Sequence, residues 1–272
     1  MRDYQSRNDS ARQAILDIIR DAVGKEPKSV GKARTAAGTP PESVGPDNAR
    51  LPSESELSRR IGLSVPTIRE ALRTLEQEGY ISKKHGMGNY YHASTLETRM
   101  RIDTILDFSD LLADGGYRVH VSQTELRLLS ATNAAAGRER DLCAKVGPLY
   151  RYDRVYSAGD RPAILTKNYI PRQLLDPRTE KNAGAAECAP APKENIIDVL
   201  WSQGRIRVTH SIEAMTPGLA DSAERALFGL KARSPLIRWS ETFYTYDDSI
   251  VGYADVSFNP DIMNMRLLRK WS

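Results

Sequence analysis

The chain has 272 residues, 40% hydrophobic and 27% charged, which is enough for two ordinary domains with a folded core. Its net charge of +4 and pI near 9.0 are compatible with a polyanionic partner, and the excess lies N-terminally, where residues 1–95 hold 15 Lys/Arg against 12 Asp/Glu. Two distant cysteines (Cys143 and Cys188), no apolar run of the roughly 18–20 residues a membrane span needs, and no secretory leader lead us to expect a soluble cytoplasmic protein without disulfides or structural zinc.

Within residues 11–23, Ile15, Leu16, Ile18, Ile19, Ala22 and Val23 recur at helical spacing and predict one amphipathic helix. Residues 24–50, with four prolines, several glycines and little to bury, are expected to be a flexible insertion. Order resumes at Leu51. Ser53 followed by Glu56 is a capping-box signature, opening a short helix that Gly62 ends. Ser64 opens a second helix with Pro66 in its first turn. Its apolar stripe is Ile68, Ala71, Leu72 and Leu75, and Gly79 terminates it. "YISKKHGMGNYYHA" predicts two short strands about a glycine turn, and 94–103 a polar linker.

The second half mixes elements. The pattern predicts a helix over 107–114, a strand over 118–129, and a hairpin over 149–171 turning at Gly159-Asp160. Residues 180–195 are a low-complexity loop. A helix at 194–202, a strand at 205–215 and a helix near 219–229 follow. Two strands about Asp247-Asp248-Ser249 close the chain. This is an α+β arrangement with a mainly antiparallel sheet.

Helix, turn, helix and basic hairpin in this order is the layout of a winged helix-turn-helix, whose second helix enters the major groove. Ser64, Thr67, Arg69 and Arg73 lie opposite its apolar stripe, where they would reach base edges. Lys83, Lys84 and His85 would meet phosphates or the minor groove, with Gly86 and Gly88 allowing close backbone approach. Six Lys/Arg against three acids lie between Leu57 and His92. A solvated helical module that binds protein remains an alternative at this level. The four histidines show no metal spacing. The tyrosines Tyr150, Tyr152, Tyr156 and Tyr169 alternate as sheet residues do.

Residues 51–91 resemble the DNA-binding domain of the GntR family. "LPSESELSRRIGLSVPTIREALRTLEQEGYI" carries its LPSE, S-x-x-T-x-R-x-A-L and L-x-x-x-G-x-I elements in register, and "KKHGMGNYY" matches its wing. The resemblance implies that Arg50, Ser64, Thr67, Arg69, Lys84, His85 and Gly86 contact DNA. Ser55 stands where some members carry a further DNA-touching Arg, so that contact is not carried over.

The C-terminal half is similar, through scattered positions, to the UTRA effector-binding domain of the HutC branch, which has a chorismate-lyase-like fold. Members that bind sugar phosphates use a Ser/Thr pair, two Arg, and two Glu. Here Leu106-Asp107 stands at the Ser/Thr pair, Arg154 and Tyr156 at the two Arg, and Thr166 and Gly252 at the two Glu. The resemblance implies an effector site drawn from Asp107, Arg154, Tyr156, Thr166 and Tyr253.

Together these readings predict a winged helix-turn-helix domain at 1–93, a linker at 94–103, and a UTRA-like effector-binding and dimerisation domain at 104–272. The expected function is a ligand-responsive transcriptional regulator, a repressor acting as a homodimer on operator DNA, with no cofactor, metal or catalytic residue. The expected effector is a carboxylate or amino compound rather than a sugar phosphate, with Arg154 taking the carboxylate and Asp107 an amine. An enzyme built on the chorismate-lyase-like domain is the alternative from another class.

Overall fold

A computed structural model describes residues 2–25, 49–104, 107–124, 126–175, 188–189 and 194–270. The insertion expected at 24–50 and the low-complexity loop at 180–195 fall mostly outside the described residues. The chain separates into two units: residues 1–104 together with 266–272, and residues 105–265.

In the first unit, α1 (Arg2–Lys25) reaches further toward the N-terminus than its apolar stripe indicates. It packs Ala11, Ile15, Leu16 and Ile19 onto Leu57 of α2 (Glu54–Ile61) and onto Ile68, Ala71, Leu72 and Leu75 of α3 (Val65–Gln77). All of these are buried, so the stripes read from sequence are the core of this unit. Ser53 caps α2 by accepting from the Glu56 amide at 3.2 Å. Only half of the expected capping box forms, because the Glu56 carboxylate turns to Arg60 one helical turn on. The hairpin β1 (Ile81–Lys84) and β2 (Gly88–Tyr91) forms antiparallel with Ile81 opposite Tyr91. The expected linker begins with a single helical turn, α4 (Ala93–Leu96).

The second unit is one eight-stranded antiparallel sheet with helices on it. Its strands are β3 (Val119–Gln123), β4 (Leu126–Leu129), β5 (Leu149–Ala158), β6 (Arg161–Pro171), β7 (Cys188–Ala189), β8 (His210–Leu219), β9 (Pro235–Tyr244) and β10 (Ile250–Phe258). The order is β7-β4-β5-β6-β10-β9-β8, with β3 also on β5. The helices are α5 (Phe108–Asp114), α6 (Arg138–Val146), α7 (Ile196–Gly204) and α8 (Ser222–Phe228). The strand expected over 118–129 is broken in two. Gln123 opposes Arg154 and Arg127 opposes Arg151, so one side of the ladder carries an extra residue.

The sheet has two covered faces. On one, Leu142 and Cys143 of α6 pack against Leu149, Tyr169 and Tyr253, and Glu224 of α8 holds Arg238 and Ser257. On the other lie Tyr152, Arg154 and Tyr156 of β5. They oppose Asn168, Thr166 and Ile164 of β6, which lead on to Ala254, Val256 and Phe258 of β10 and to Glu241, Trp239 and Ile237 of β9. Side chains directly opposite in an antiparallel ladder share a face.

The C-terminal boundary differs from the one expected. Residues from Arg266 on group with the first unit rather than with the sheet.

Candidate nucleic-acid interface and effector site

At the start of α3, Ser64 is the N-cap. Its hydroxyl accepts from the Thr67 amide at 3.4 Å and shares a 2.8 Å hydrogen bond with the Thr67 hydroxyl. A cap residue sits just outside the helix, so the two hydroxyls are fixed at the tip that would meet bases. Arg69 is exposed one turn along, and its Nε and Nη2 both donate to Glu54 Oε2, at 3.0 and 2.8 Å. That hydrogen bond, with the Glu54 charge, raises the Arg69 pKa above its ordinary value. Arg73 is likewise exposed and pairs with Glu70 at 3.1 Å. The two arginines expected to touch DNA are therefore held in place by carboxylates of their own unit, which a base or phosphate would have to displace.

The wing gathers the remaining candidates. Lys83 and Lys84 end β1, and the Lys84 ammonium lies 5.0 Å from the Tyr90 ring centroid. His85 and Gly86 form the exposed turn, with Gly86 at φ +72°. Arg50 bridges to Tyr90 through its backbone, and a Cβ on Gly88 would stand 3.3 Å from Arg50 Nε. Gly88 therefore leaves room for the Arg50 guanidinium beside the wing. Met87, exposed at the tip, has no counterpart among the residues expected from sequence.

In the second unit, Arg154 is 6% exposed, and its Nε and Nη1 have no hydrogen-bond partner among the described residues. Its guanidinium lies 5.1 Å from the Tyr156 ring centroid. The Tyr152 hydroxyl on the same face of the strand is also buried and unpartnered. Burial pushes the Tyr156 hydroxyl up to about 12, with the Arg154 charge pulling the other way. Thr166 sits opposite Arg154, buried, its hydroxyl accepting from Asn168 Nδ2 at 3.0 Å. Phe108, the first residue of α5, packs its ring on Tyr156, Trp239 and Phe258 at 5.6 to 6.0 Å. Buried donors without acceptors are costly, and they are arranged here beside an aromatic wall.

Two expected members of the site are placed elsewhere or already occupied. Tyr253 faces the opposite side of the sheet, packed with Tyr169 and Leu142, because strand residues alternate and its neighbour Gly252 takes the Arg154 face. Asp107 is the N-cap of α5: its Oδ1 accepts from the Ser109 amide at 2.6 Å and its Oδ2 from Asn195 Nδ2 at 3.1 Å. An amine expected to pair with it would share a carboxylate that already accepts these two bonds. Leu106 lies outside the described residues. A Cβ on Gly252 would stand 3.2 Å from Ile196 Cδ1 of α7, so a side chain there would need the Ile196 side chain to give by a few tenths of an ångström.

The sequence reading missed Phe108, Trp239 and Glu241. Trp239 and Glu241 carried a signal, alternating in "LIRWSETFY" with Phe243 onto one face. Glu241 lies opposite Glu213, whose carboxylate accepts from Ser211 at 2.9 Å. Burial, reinforced by Glu213, pushes the Glu241 carboxyl up to about 7, although Ser211 works in the other direction.

The profile of bacterial regulatory proteins of the gntR family matches residues 46–90, and that of the UTRA domain matches residues 114–264, more than half of the chain. This chain belongs to the GntR regulators that carry a UTRA domain. Such regulators bind DNA and respond to a small ligand, and the relatives are transcriptional regulators rather than enzymes. The HTH-type transcriptional repressor NagR of Bacillus subtilis is 21% identical over 211 residues, 78% of this chain and 82% of its own length. The HTH-type transcriptional regulator Rv0792c of Mycobacterium tuberculosis is 27% identical over 234 residues, 84% of this chain and 81% of its own. The histidine utilization repressor of Pseudomonas putida is 32% identical over 97 residues, 36% of each chain. The fold is also that of the possible transcriptional regulator YydK of Bacillus subtilis, with a TM-score of 0.59 at 16% identity, covering 81% of this chain and 90% of that one. No described helix of this regulator is long and apolar enough to cross a membrane.

Proposed function

We propose that this GntR regulator is a cytoplasmic repressor that reads a near-palindromic operator as a homodimer and changes its operator affinity when a small carboxylate binds at Arg154. Arg50, Ser64, Thr67, Arg69, Arg73, Lys83, Lys84, His85 and Gly86 are its DNA contacts in this reading. Two symmetric heads reading two half-sites account for how a short recognition helix reaches useful specificity. The names of the repressor relatives support the sign of regulation.

The observation that carries the effector class is the buried Arg154 guanidinium with two donors unmatched among the described residues. A carboxylate takes a charge-assisted hydrogen bond from the Arg154 Nε or Nη1, and the Tyr152 hydroxyl offers one more donor. A sugar phosphate fits less well. Asp107 occupies the helix N-terminus with a negative charge, and Thr166 and Gly252 supply no carboxylate for sugar hydroxyls. An amine on the ligand would reach Asp107 only as a further donor to a carboxylate that already caps α5 and accepts from Asn195. The test is thermal shift against a panel of small organic acids, amino acids and hexosamine phosphates. A carboxylate that stabilises the wild type and not Arg154→Ala is the expected result. A micromolar response to a hexosamine phosphate would overturn the assignment, and a monomer in light scattering that binds a single half-site tightly would overturn the dimer.

A further inference from the structure

The final described residues tie down the recognition helix. The Arg266 amide donates to the Met100 carbonyl at 3.1 Å, and the Ile102 amide to the Arg266 carbonyl at 3.0 Å, so the tail runs parallel to the segment that follows α4. Leu268 then lies over Gly79, where a Cβ would stand 2.3 Å from Leu268 Cδ2. Gly79 also has φ +77°, so a side chain there would be strained by its backbone as well as meeting Leu268. Two residues on, Lys270 Nζ donates to the carbonyls of Glu76 and Gln77, at 2.9 and 2.5 Å. These are the last two carbonyls of α3; that of Glu76 also accepts from the Gly79 amide at 3.1 Å, so Lys270 adds a charged donor to the helix end.

A second cation reaches the same helix end. Arg101 is 1% exposed, with Nη2 donating to the Glu78 carbonyl at 2.8 Å and its guanidinium 5.1 Å from the Tyr80 ring centroid. Asp103 fixes it from the other side, accepting from Nε at 3.2 Å and Nη2 at 2.6 Å. Burial opposes the Asp103 charge, but Arg101 and the Leu268 amide outweigh it and hold the carboxyl below its usual value. Arg12 of α1 adds a third contact, pairing with the Glu78 carboxylate at 2.8 Å. Cations at a helix C-terminus also suit its dipole.

We infer that Lys270 and Leu268 of the C-terminal tail, together with Arg101, are positioning residues for DNA reading: they fix the carbonyl end of α3, and so the orientation in which Ser64, Thr67 and Arg69 meet the groove. None of the three is at the N-terminal tip that would touch bases. Their effect therefore falls on recognition of the right sequence, not on general attraction to phosphate. The inference rests on α3 being the recognition helix.

The test uses full-length protein, a duplex selected by the wild type from a random library, and a scrambled duplex of the same length. Leu268→Ala changes no charge, Lys270→Met removes the donor while keeping the stem, and Lys270→Arg restores a cation. Leu268→Ala and Lys270→Met should each weaken the selected duplex about three- to tenfold, the scale of a lost cap or a modest coupling. Scrambled-duplex affinity should stay within about twofold, and Lys270→Arg should retain selected-duplex affinity. Hydrogen exchange at the amides of Glu78, Gly79 and Tyr80 should speed up in the weakened variants. Unchanged affinity for the selected duplex in the double variant would overturn the inference, as would an equal loss on both duplexes, which would mean charge or stability alone. If Arg69→Ala also leaves the selected duplex unaffected, it is the recognition-helix assignment that fails.

Discussion

Replacing Arg154 by methionine should make the ligand-free protein more stable while removing its response to ligand. Arg154 keeps a charge and two unpartnered donors in a buried position. Each buried donor left without an acceptor costs about 1–3 kcal/mol, so removing two relieves roughly 2–6 kcal/mol. Against this stands the lost interaction with the Tyr156 ring at 5.1 Å, worth up to about 2 kcal/mol when desolvated. Methionine keeps the stem's length and apolar contact, so the cavity contribution is small. The net is a stabilisation between about zero and 6 kcal/mol. For a unit of this size each kcal/mol moves the melting point by about 2–4 °C, so a 2 kcal/mol gain appears as about 4–8 °C. Differential scanning calorimetry on the full chain reads it directly. With a carboxylate that stabilises the wild type, Arg154→Met should show no further shift. At a hundredfold excess over Kd the wild type would gain about 2.7 kcal/mol. A melting point lowered in Arg154→Met would mean that the guanidinium is satisfied in the free protein and is not held for a ligand.

In the reader, Arg69→Ala should weaken a selected duplex about 5- to 150-fold and relax preference at one base pair, whereas Lys84→Ala should weaken all duplexes alike and reduce the salt slope by about 1; competition binding over a salt series separates the two. Ser53→Ala removes the cap of α2 and should cost about 1 kcal/mol, read as a shift in urea midpoint without a change in slope. The Glu241 carboxyl, at about 7 against an ordinary 4.5, holds its proton more firmly in the folded than in the unfolded state. Its contribution should therefore fall as pH rises from about 4.5 to 7, and Glu241→Gln should flatten that part of the stability profile, measured by urea unfolding at several pH values.

The reader was legible in the sequence because its signals are local. Ser53 and Ser64 announce helix starts, Gly62 and Gly79 the ends, and the stripe of Ile68, Ala71, Leu72 and Leu75 is the core that α1 covers. The hairpins of the second unit were visible for the same reason, as alternating runs about Gly159-Asp160 and Asp247-Asp248-Ser249. Three things were not legible. Helix α6 has only Leu142, Cys143, Ala144 and Val146 as apolar residues, and its partners on the sheet, such as Asp255 for Arg138 and Arg151 for Glu139, are distant in sequence. The break between β3 and β4 is a register offset, which has no composition of its own. Tyr253 was placed in the site by likeness of position, but only the parity of β10 relative to β6 decides which face it joins. Asp107 shows the opposite case. Its capping role was available from sequence, whereas its second bond, from Asn195 of a segment 88 residues away, was not.

Because residues 105–265 leave and re-enter the reader at adjacent points, Arg101 and Arg266 being paired, the sensing unit is an insert within a split reader rather than a cassette appended to it. Chimeras made by a single cut after residue 104 would discard Leu268 and Lys270 and leave the end of α3 held by Arg101 and Arg12 without the tail. Exchanging sensors between such regulators would instead call for grafting at two junctions and retaining the host's own tail, which permits a foreign sensor to be judged without also changing how the reader is held.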